Sequence, residues 1–342
     1  MRRIGLLEKT GEKIAYYRKK NGFSRQYLAD NICDESTLYR IEKGQQLPRL
    51  DILKEICMKL NIPIEYILSD NDEAELISYV QKFKRLCRES LYQLDFITLQ
   101  YHYEEAKNFS NNNPLLNNRQ FLRFLSWIEA VLYHKRDQNP EKAEILLRKL
   151  IQNGKIINEI DINITNSLGL LLLEQNKLKE ALRLFISSYK ALENSPYIED
   201  KSLFPRVAYN LACLYYENHR DSECFDICYR LEYYLQSNHL FYCAGEVRYL
   251  LGILHKRKND LDIAQQYFDE AVNIFSFERK YAFCSQSLHS LAEIHYLKGD
   301  SRNGELHVNK ALSIADSIND QEISNAIKEE IKHTIKQYAS RL

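Results

Sequence analysis

The sequence predicts an all-α protein, and three observations support that fold class. Glycine and proline are scarce, with 10 and 6 among 342 residues, which favours long helices joined by short connections over a sheet of many strands. Apolar residues recur at the spacing of one helix face through most of the chain. From Gly169 onward, small residues that follow a leucine recur about every 40 positions, as expected for stacked helical hairpins.

Five short helices are predicted between residues 10 and 68. The first runs from about Gly11 to Lys20, and the third runs from Glu35 to Lys43. The residues that bound these helices are ones that cap or break helices: Ser24, Asp34, Gly44, Pro48 and Pro63. The polar and acidic segment 69–73 then separates a first domain, residues 1–70, from a second domain, residues 71–342.

The second domain is predicted to contain about five to six helical hairpins and a C-terminal capping helix over residues 321–342. Four hairpins follow the tetratricopeptide pattern, with Gly169, Ala212, Gly252 and Ala292 as the small residues of the first helix. Trp127 marks a weaker fifth hairpin, and residues 77–107 hold a degenerate sixth. Small residues let the two helices of a hairpin approach closely, so we expect a right-handed tetratricopeptide-repeat superhelix.

The net charge of zero hides a basic N-terminal region. Between Arg2 and Arg49 there are 11 basic and 6 acidic residues, a balance of about +5, so the remainder of the chain is mildly acidic. This asymmetry suits a protein that contacts nucleic acid through its N-terminal region only.

The chain shows no segment suited to membrane insertion or export. Its longest apolar stretch, residues 168–173, is far too short to span a bilayer, and the first residues contain no apolar core of a signal peptide. We therefore expect a cytoplasmic protein with no membrane contact, whose 8 cysteines are reduced.

Residues 23–48 carry the pattern of a DNA-binding helix-turn-helix. The strings FSRQYLA and STLYRIEKG are followed by Pro48, and the whole region resembles the lambda-repressor-like (Cro/C1, or XRE) domain. In that family the third helix enters the major groove. The resemblance implies that Glu35, Ser36 and Arg40 face bases, that Thr37 and Tyr39 are next in reach, and that Arg25 and Lys43 contact phosphate. It also implies that Arg18 and Glu42 form a structural pair between the first and third helices.

The expected base-facing side chains have the chemistry for reading DNA. Arginine can bridge guanine O6 and N7, glutamate can accept a hydrogen bond from cytosine N4, and serine can do either. The alternative is that Arg40 and Glu35 are solvated helix charges and that Tyr39 is a surface aromatic packed on its own helix. Two departures from the family pattern leave the register of base contacts open: Cys33 replaces glycine in a shorter turn, and Arg49 replaces an N-capping serine or threonine.

The combination of this N-terminal domain with these repeats resembles the Gram-positive peptide-pheromone receptors of the Rap, Rgg, NprR, PlcR and PrgX group. Residues 31–42, 51–53 and 62–64 resemble the PlcR-type regulators most, and the likeness in the repeats is weaker. The resemblance implies that Asn166 and the Tyr209-Asn210 pair grip a peptide backbone. It also matches Glu246 to a position where that group has a glutamine, and Arg88 to a position where the group has a lysine near the peptide.

The repeat pattern adds two residues to this candidate peptide site. Tyr249 and His289 fall at positions that face the concave surface of a stacked array, and such surfaces bind extended peptides. A side-chain amide suits this task because it can donate to a backbone carbonyl and accept from a backbone N–H. The alternative for each asparagine is a hydrogen bond to the neighbouring hairpin, and Tyr209 is as well suited to the core as to the concave surface.

These observations together predict a DNA-binding transcription regulator. A homodimer would bind a two-fold-related site on double-stranded DNA, under the control of a short signalling peptide of the quorum-sensing kind. Two alternatives stay open: the repeats bind a protein partner instead, or the protein also inhibits a phosphorelay component. Because the sequence contains no catalytic motif, and because Cys224 and Cys228 lack a second ligand pair, we expect neither an enzyme nor a metal or other cofactor.

Overall fold

A computed structural model describes residues 2–68, 71–112, 119–151, 156–195 and 198–339. The helices described in these ranges number eighteen, and the described residues contain no strand, so the predicted all-α fold class is confirmed. The chain divides into two compact units, residues 1–143 and residues 144–342. Within the described residues, no helix combines the length and the apolar character that crossing a bilayer requires.

The first unit begins with five helices, which we call the head, and continues with three helices of 17–22 residues. Its helices are α1 (Arg2–Lys20), α2 (Arg25–Ala29), α3 (Glu35–Glu42), α4 (Leu50–Leu60), α5 (Ile64–Leu68), α6 (Asn71–Tyr92), α7 (Phe96–Asn112) and α8 (Arg119–Lys135). The next helix, α9 (Pro140–Leu150), runs across the division between the units. The expected boundary at residue 70 therefore lies within the first unit, between the head and α6.

The second unit consists of helical hairpins and a terminal helix. Its helices are α10 (Glu159–Glu174), α11 (Leu178–Glu193), α12 (Leu203–Glu217), α13 (Asp221–Ser237), α14 (Ala244–Arg257), α15 (Leu261–Glu278), α16 (Tyr281–Leu297), α17 (Ser301–Ala315) and α18 (Gln321–Ala339). Helices α10 to α17 pack in successive pairs at the four predicted hairpins, and α18 packs on the last pair. Each hairpin begins with an even-numbered helix, which we call its A helix.

The head packs around the apolar residues that helical spacing predicts. Its core includes Ile14, Leu28, Leu38, Ile41 and Ile56, each at most 1 % exposed. The side chain of Ser24 caps α2 by accepting a hydrogen bond from the backbone N–H of Tyr27. Beyond the end of α3, Gly44 adopts the left-handed conformation, with φ of 65°, that glycine tolerates best.

The predicted start of the first helix at Gly11 is wrong, because α1 begins at Arg2. Gly11 instead lies where α1 crosses the end of α3. A Cβ atom on Gly11 would lie 2.1 Å from the carbonyl oxygen of Ile41, so only glycine allows these two helices to come so close. Gly11 thus resembles a helix boundary in the sequence, but the structure requires glycine there because α1 packs closely on α3, a distant part of the chain.

The small residues of the repeats have the packing role that the sequence indicates. A Cβ atom on Gly169 would lie 2.8 Å from the ring of Phe185, and one on Gly252 would lie 2.7 Å from the ring of Phe268. Both rings are fully buried. In these two hairpins an aromatic ring of the second helix therefore rests directly on the backbone of the A helix, which fixes the spacing of the pair.

Candidate functional sites

Helix α3 presents a polar surface to solvent while its other face holds the head together. Leu38, Ile41 and Glu42 are buried. The opposite face carries the residues expected to read bases and their neighbours: Glu35, Ser36, Thr37, Tyr39 and Arg40. Thr37 is half-buried, and the other four are exposed. The structure thus brings these five residues together on one outward surface, with Lys43 exposed directly after the helix.

The buried carboxylate of Glu42, on the inner face of α3, holds two arginines beside this surface. It accepts hydrogen bonds from Arg18, with Nε–Oε1 at 2.5 Å and Nη2–Oε2 at 3.0 Å, which is the pair that the family resemblance implies. It also accepts one from Nε of Arg25, at 2.7 Å. Burial opposes ionisation of this carboxyl, but the hydrogen bonds from the two guanidinium groups outweigh burial and hold the pKa of Glu42 below its ordinary value.

Arg25 has a more constrained position than the sequence suggests. Its guanidinium lies over the ring of Tyr39, 5.1 Å from the ring centre, while its Nε is engaged by Glu42. The side chain is 34 % exposed. Neither Nη group of Arg25 makes a hydrogen bond to another described residue. Their N–H groups are therefore available to donate to a phosphate, and Glu42 and Tyr39 set the orientation of the guanidinium.

Arg40 lies along its own helix. Its Nε and Nη2 donate to the backbone oxygen of Ser36 and to the hydroxyl of Thr37, each at 3.3 Å. Both hydrogen bonds are long and exposed to solvent, so they cost little to exchange for a contact to a base edge.

The turn between α2 and α3 contains a residue that sequence reasoning missed. Asn31 has a φ of 61°, in the left-handed region, whereas Cys33 does not. Asparagine enters this region more readily than other non-glycine residues. Asn31, and not Cys33, is therefore the left-handed residue of this turn, and the preference of asparagine for that conformation was the signal in the sequence.

Six of the seven expected peptide-binding residues lie on the A helices of the second unit. These residues, which we call the A-helix face, are Asn166, Tyr209, Asn210, Glu246, Tyr249 and His289. All except the buried Asn166 are half-buried. The seventh residue, Arg88, is half-buried on α6 of the first unit.

Asparagine side chains join the A helices α10 and α12. The Nδ2 group of Asn210 donates to Oδ1 of Asn166 at 3.1 Å. One turn away, the Nη2 group of Arg206 donates to Oδ1 of Asn163 at 3.0 Å and to Asp200 at 2.9 Å. The contact between hairpins that was the alternative for Asn166 and Asn210 is therefore present. Asn163 and Arg206 are further polar residues that sequence reasoning missed.

The later A helices are joined by charged and polar pairs. Lys280, the residue before α16, donates to Oε1 of Glu246 at 2.6 Å. Lys256 pairs with Glu293 on α16, and His289 shares a hydrogen bond of 2.8 Å with the hydroxyl of Thr334 on α18. Burial is the main reason that the pKa of His289 is below its ordinary value.

The tyrosines of the A-helix face act as neutral phenols. Burial is the main cause that raises the pKa of Tyr249 to about 12 and that raises the pKa of Tyr209 still further. A neutral phenol both donates and accepts hydrogen bonds, as a peptide backbone requires. Within the described ranges, no cluster of three or more His, Cys, Asp or Glu residues could hold a metal ion.

The fold and the head define the class of protein. Residues 14–67 match the family model HTH_3, described as helix-turn-helix. The chain therefore joins a helix-turn-helix domain, a kind of domain that binds DNA, to tetratricopeptide-like repeats.

Solved structures that are similar to this chain over most of its length include the following two. PlcR from Bacillus thuringiensis, in complex with the peptide PapR7 and DNA, is 23 % identical with a TM-score of 0.60, over 82 % of this chain and 99 % of that one. BtubC (BKLC) from P. vanneervenii is 19 % identical with a TM-score of 0.51, over 69 % of this chain and 92 % of that one. No functionally curated protein matches the chain by sequence. The chain thus has the fold of PlcR.

Proposed function

We propose that this protein is a transcription regulator whose binding to DNA is controlled by a short signalling peptide held on the A-helix face. The regulator acts as a homodimer on a two-fold-related operator, in a quorum-sensing response. The head supplies the DNA-reading surface and the repeats supply the peptide site.

The proposal for DNA rests on the polar face of α3 and its support. Arg40, Glu35 and Ser36 are exposed on the helix that the family inserts into the major groove. Glu42 holds Arg25 beside this helix, where a phosphate contact would set the register of the head on the duplex. The basic balance of the region favours the same partner.

The observation that carries the peptide proposal is the side-chain pair of Asn166 and Asn210. The pair uses one donor and one acceptor. The Nδ2 group of Asn166 and the Oδ1 atom of Asn210 make no hydrogen bond to another described residue. These two groups match the carbonyl and the N–H of an extended backbone. PlcR, which shares the fold, was crystallised with both a peptide and DNA.

Regulation requires that the peptide prefers one arrangement of the repeats. A ligand shifts an equilibrium only by its difference in affinity for the two states, and the effect is reciprocal. A peptide that changes operator affinity must therefore bind more or less tightly when the operator is present.

The test is a titration of operator binding with peptides. An operator is first selected from random duplexes on the purified full-length protein. Synthetic peptides encoded by small genes beside its own gene are then added while fluorescence anisotropy of the operator is followed. We expect at least one peptide to shift operator affinity. The Asn210→Ala variant should need about five- to tenfold more peptide for the same shift but keep the peptide-free affinity. Operator binding that no peptide alters would contradict peptide control, and failure to select any operator would contradict the DNA function.

A further inference from the structure

Glu246, Lys280 and Glu278 form a triad of charged side chains, in which two carboxylates face one ammonium group. Nζ of Lys280 lies 2.6 Å from Oε1 of Glu246 and 2.9 Å from Oε2 of Glu278. Two carboxylates therefore share one ammonium group. Other cations nearby have partners of their own: Arg206 pairs with Asp200, and Arg248 on the same helix pairs with carboxylates of α13 and α15.

The second carboxylate oxygen of Glu246 has no hydrogen-bond partner among the residues that the structure describes. Oε2 is buried and accepts no hydrogen bond from any described residue. The Glu246 side chain as a whole is 12 % exposed. An ionised oxygen that is removed from water without a donor is unfavourable, so this position favours the arrival of a group that donates.

Lys280 is the movable member of the triad. Its side chain is 38 % exposed, against 12 % for Glu246 and 22 % for Glu278. Because it contacts both carboxylates, Lys280 can leave Glu246 and keep its ion pair with Glu278. Burial disfavours its charged form, but the hydrogen bond to Glu246 and the ion pair with Glu278 outweigh burial and raise the pKa of Lys280, so it stays an ammonium.

We infer that Glu246 receives a cationic group of the bound peptide, in exchange for Lys280. This inference rests on the proposed peptide function and names the chemistry that the peptide must carry. The cationic group is either the amino-terminal ammonium or the side chain of a lysine. Glu246 lies on α14, the A helix that follows α12, which carries Asn210.

The test uses three pools of random short peptides offered to the immobilised full-length protein. The first pool has free amino termini and no basic residue, the second is the same but acetylated, and the third is acetylated with one lysine. We expect the first or the third pool to be retained roughly tenfold more than the second, because a hydrogen bond between charged groups is worth about that factor. The pool that is retained identifies the source of the cation.

Two variants with opposite expected effects separate the exchange from a structural role. Glu246→Gln should abolish the preference for the cationic pool, whereas Lys280→Gln should increase that preference because it removes the competing cation. Glu270→Gln is the matched control, since Glu270 pairs with Arg248 away from the triad, 2.9 Å from its Nε. It should leave the preference unchanged.

The possible results have distinct meanings. Equal retention of all pools by the natural protein would overturn this inference and leave peptide binding intact. A preference that persists in Glu246→Gln, or that falls in Lys280→Gln, would also overturn it. Retention of no pool at all would refute the peptide function itself, and this inference with it. If Glu246→Gln does not fold, as judged by circular dichroism, the response of Lys280→Gln decides alone.

Discussion

Replacing Glu42 by glutamine should destabilise the head by about 3 kcal/mol. The Glu42 side chain is 2 % exposed and its partner Arg18 is 8 % exposed, so the substitution leaves a buried guanidinium without its counter-charge. Removing one partner of a buried ion pair costs about 3–5 kcal/mol, and glutamine keeps one acceptor oxygen, which favours the lower end. Arg25 adds little to this figure because it is 34 % exposed and solvent screens its charge.

The head can be probed within the full chain by hydrogen exchange read by mass spectrometry. Backbone amides of the buried core of α1 and α3 exchange only when the head opens, so their protection reports its free energy of unfolding. A loss of about 3 kcal/mol should accelerate their exchange about a hundredfold. Glu55→Gln, an exposed carboxyl on α4, is the control and should change the rate little. Equal rates in the two variants would refute the reasoning.

The same carboxylate predicts the response of the head to acid. Because the pKa of Glu42 is held below its ordinary value in the folded state, its contribution is fully present above the ordinary value. The contribution is lost as the pH falls through the lowered pKa. Protection of the head should therefore fall in acid more steeply in the natural protein than in Glu42→Gln, and parallel pH profiles would contradict this account.

Three further predictions concern binding. Arg40→Ala should weaken specific operator binding by about 1–3 kcal/mol with the fold intact, and unchanged anisotropy titrations would reject its base-reading role. Lys43→Gln should lower the slope of log affinity against log salt by about 1, as expected for one lost phosphate contact, and an unaltered slope would exclude that contact. Asn210→Ala should reduce peptide affinity by about five- to tenfold through loss of a backbone hydrogen bond, and calorimetry that gives equal affinities would dismiss the asparagine pair as a peptide site.

The head was largely predictable because its signals are local. Ser24, Gly44 and Pro48 mark helix ends through their own conformational preferences, and the structure places helix ends beside them. Gly11 was misread because its role depends on the carbonyl oxygen of Ile41, thirty residues away in sequence. The hydrogen bond from Arg25 to Glu42 was missed for the same reason. Nothing in the local sequence indicates that Glu42 binds a second arginine besides Arg18.

The repeats were predictable in position but less so in their polar contacts. A period of about 40 residues places equivalent residues of neighbouring A helices side by side, and Asn166 and Asn210 are 44 residues apart. Which polar atoms then meet depends on side-chain length and helix offset. Lys280 illustrates this limit, because it reaches Glu246 from the residue before α16 and not from an equivalent helical position.

The polar contacts of the A-helix face join neighbouring hairpins, whereas the contacts of Phe185 with Gly169 and of Phe268 with Gly252 lie inside single hairpins. The two sets of contacts therefore involve different residues. A ligand that replaces Lys280 on Glu246, or that separates Asn166 from Asn210, loosens the joint between two hairpins without disturbing Phe185 on Gly169 or Phe268 on Gly252. Such a ligand acts directly on the contacts between hairpins, and on the packing inside a hairpin only indirectly.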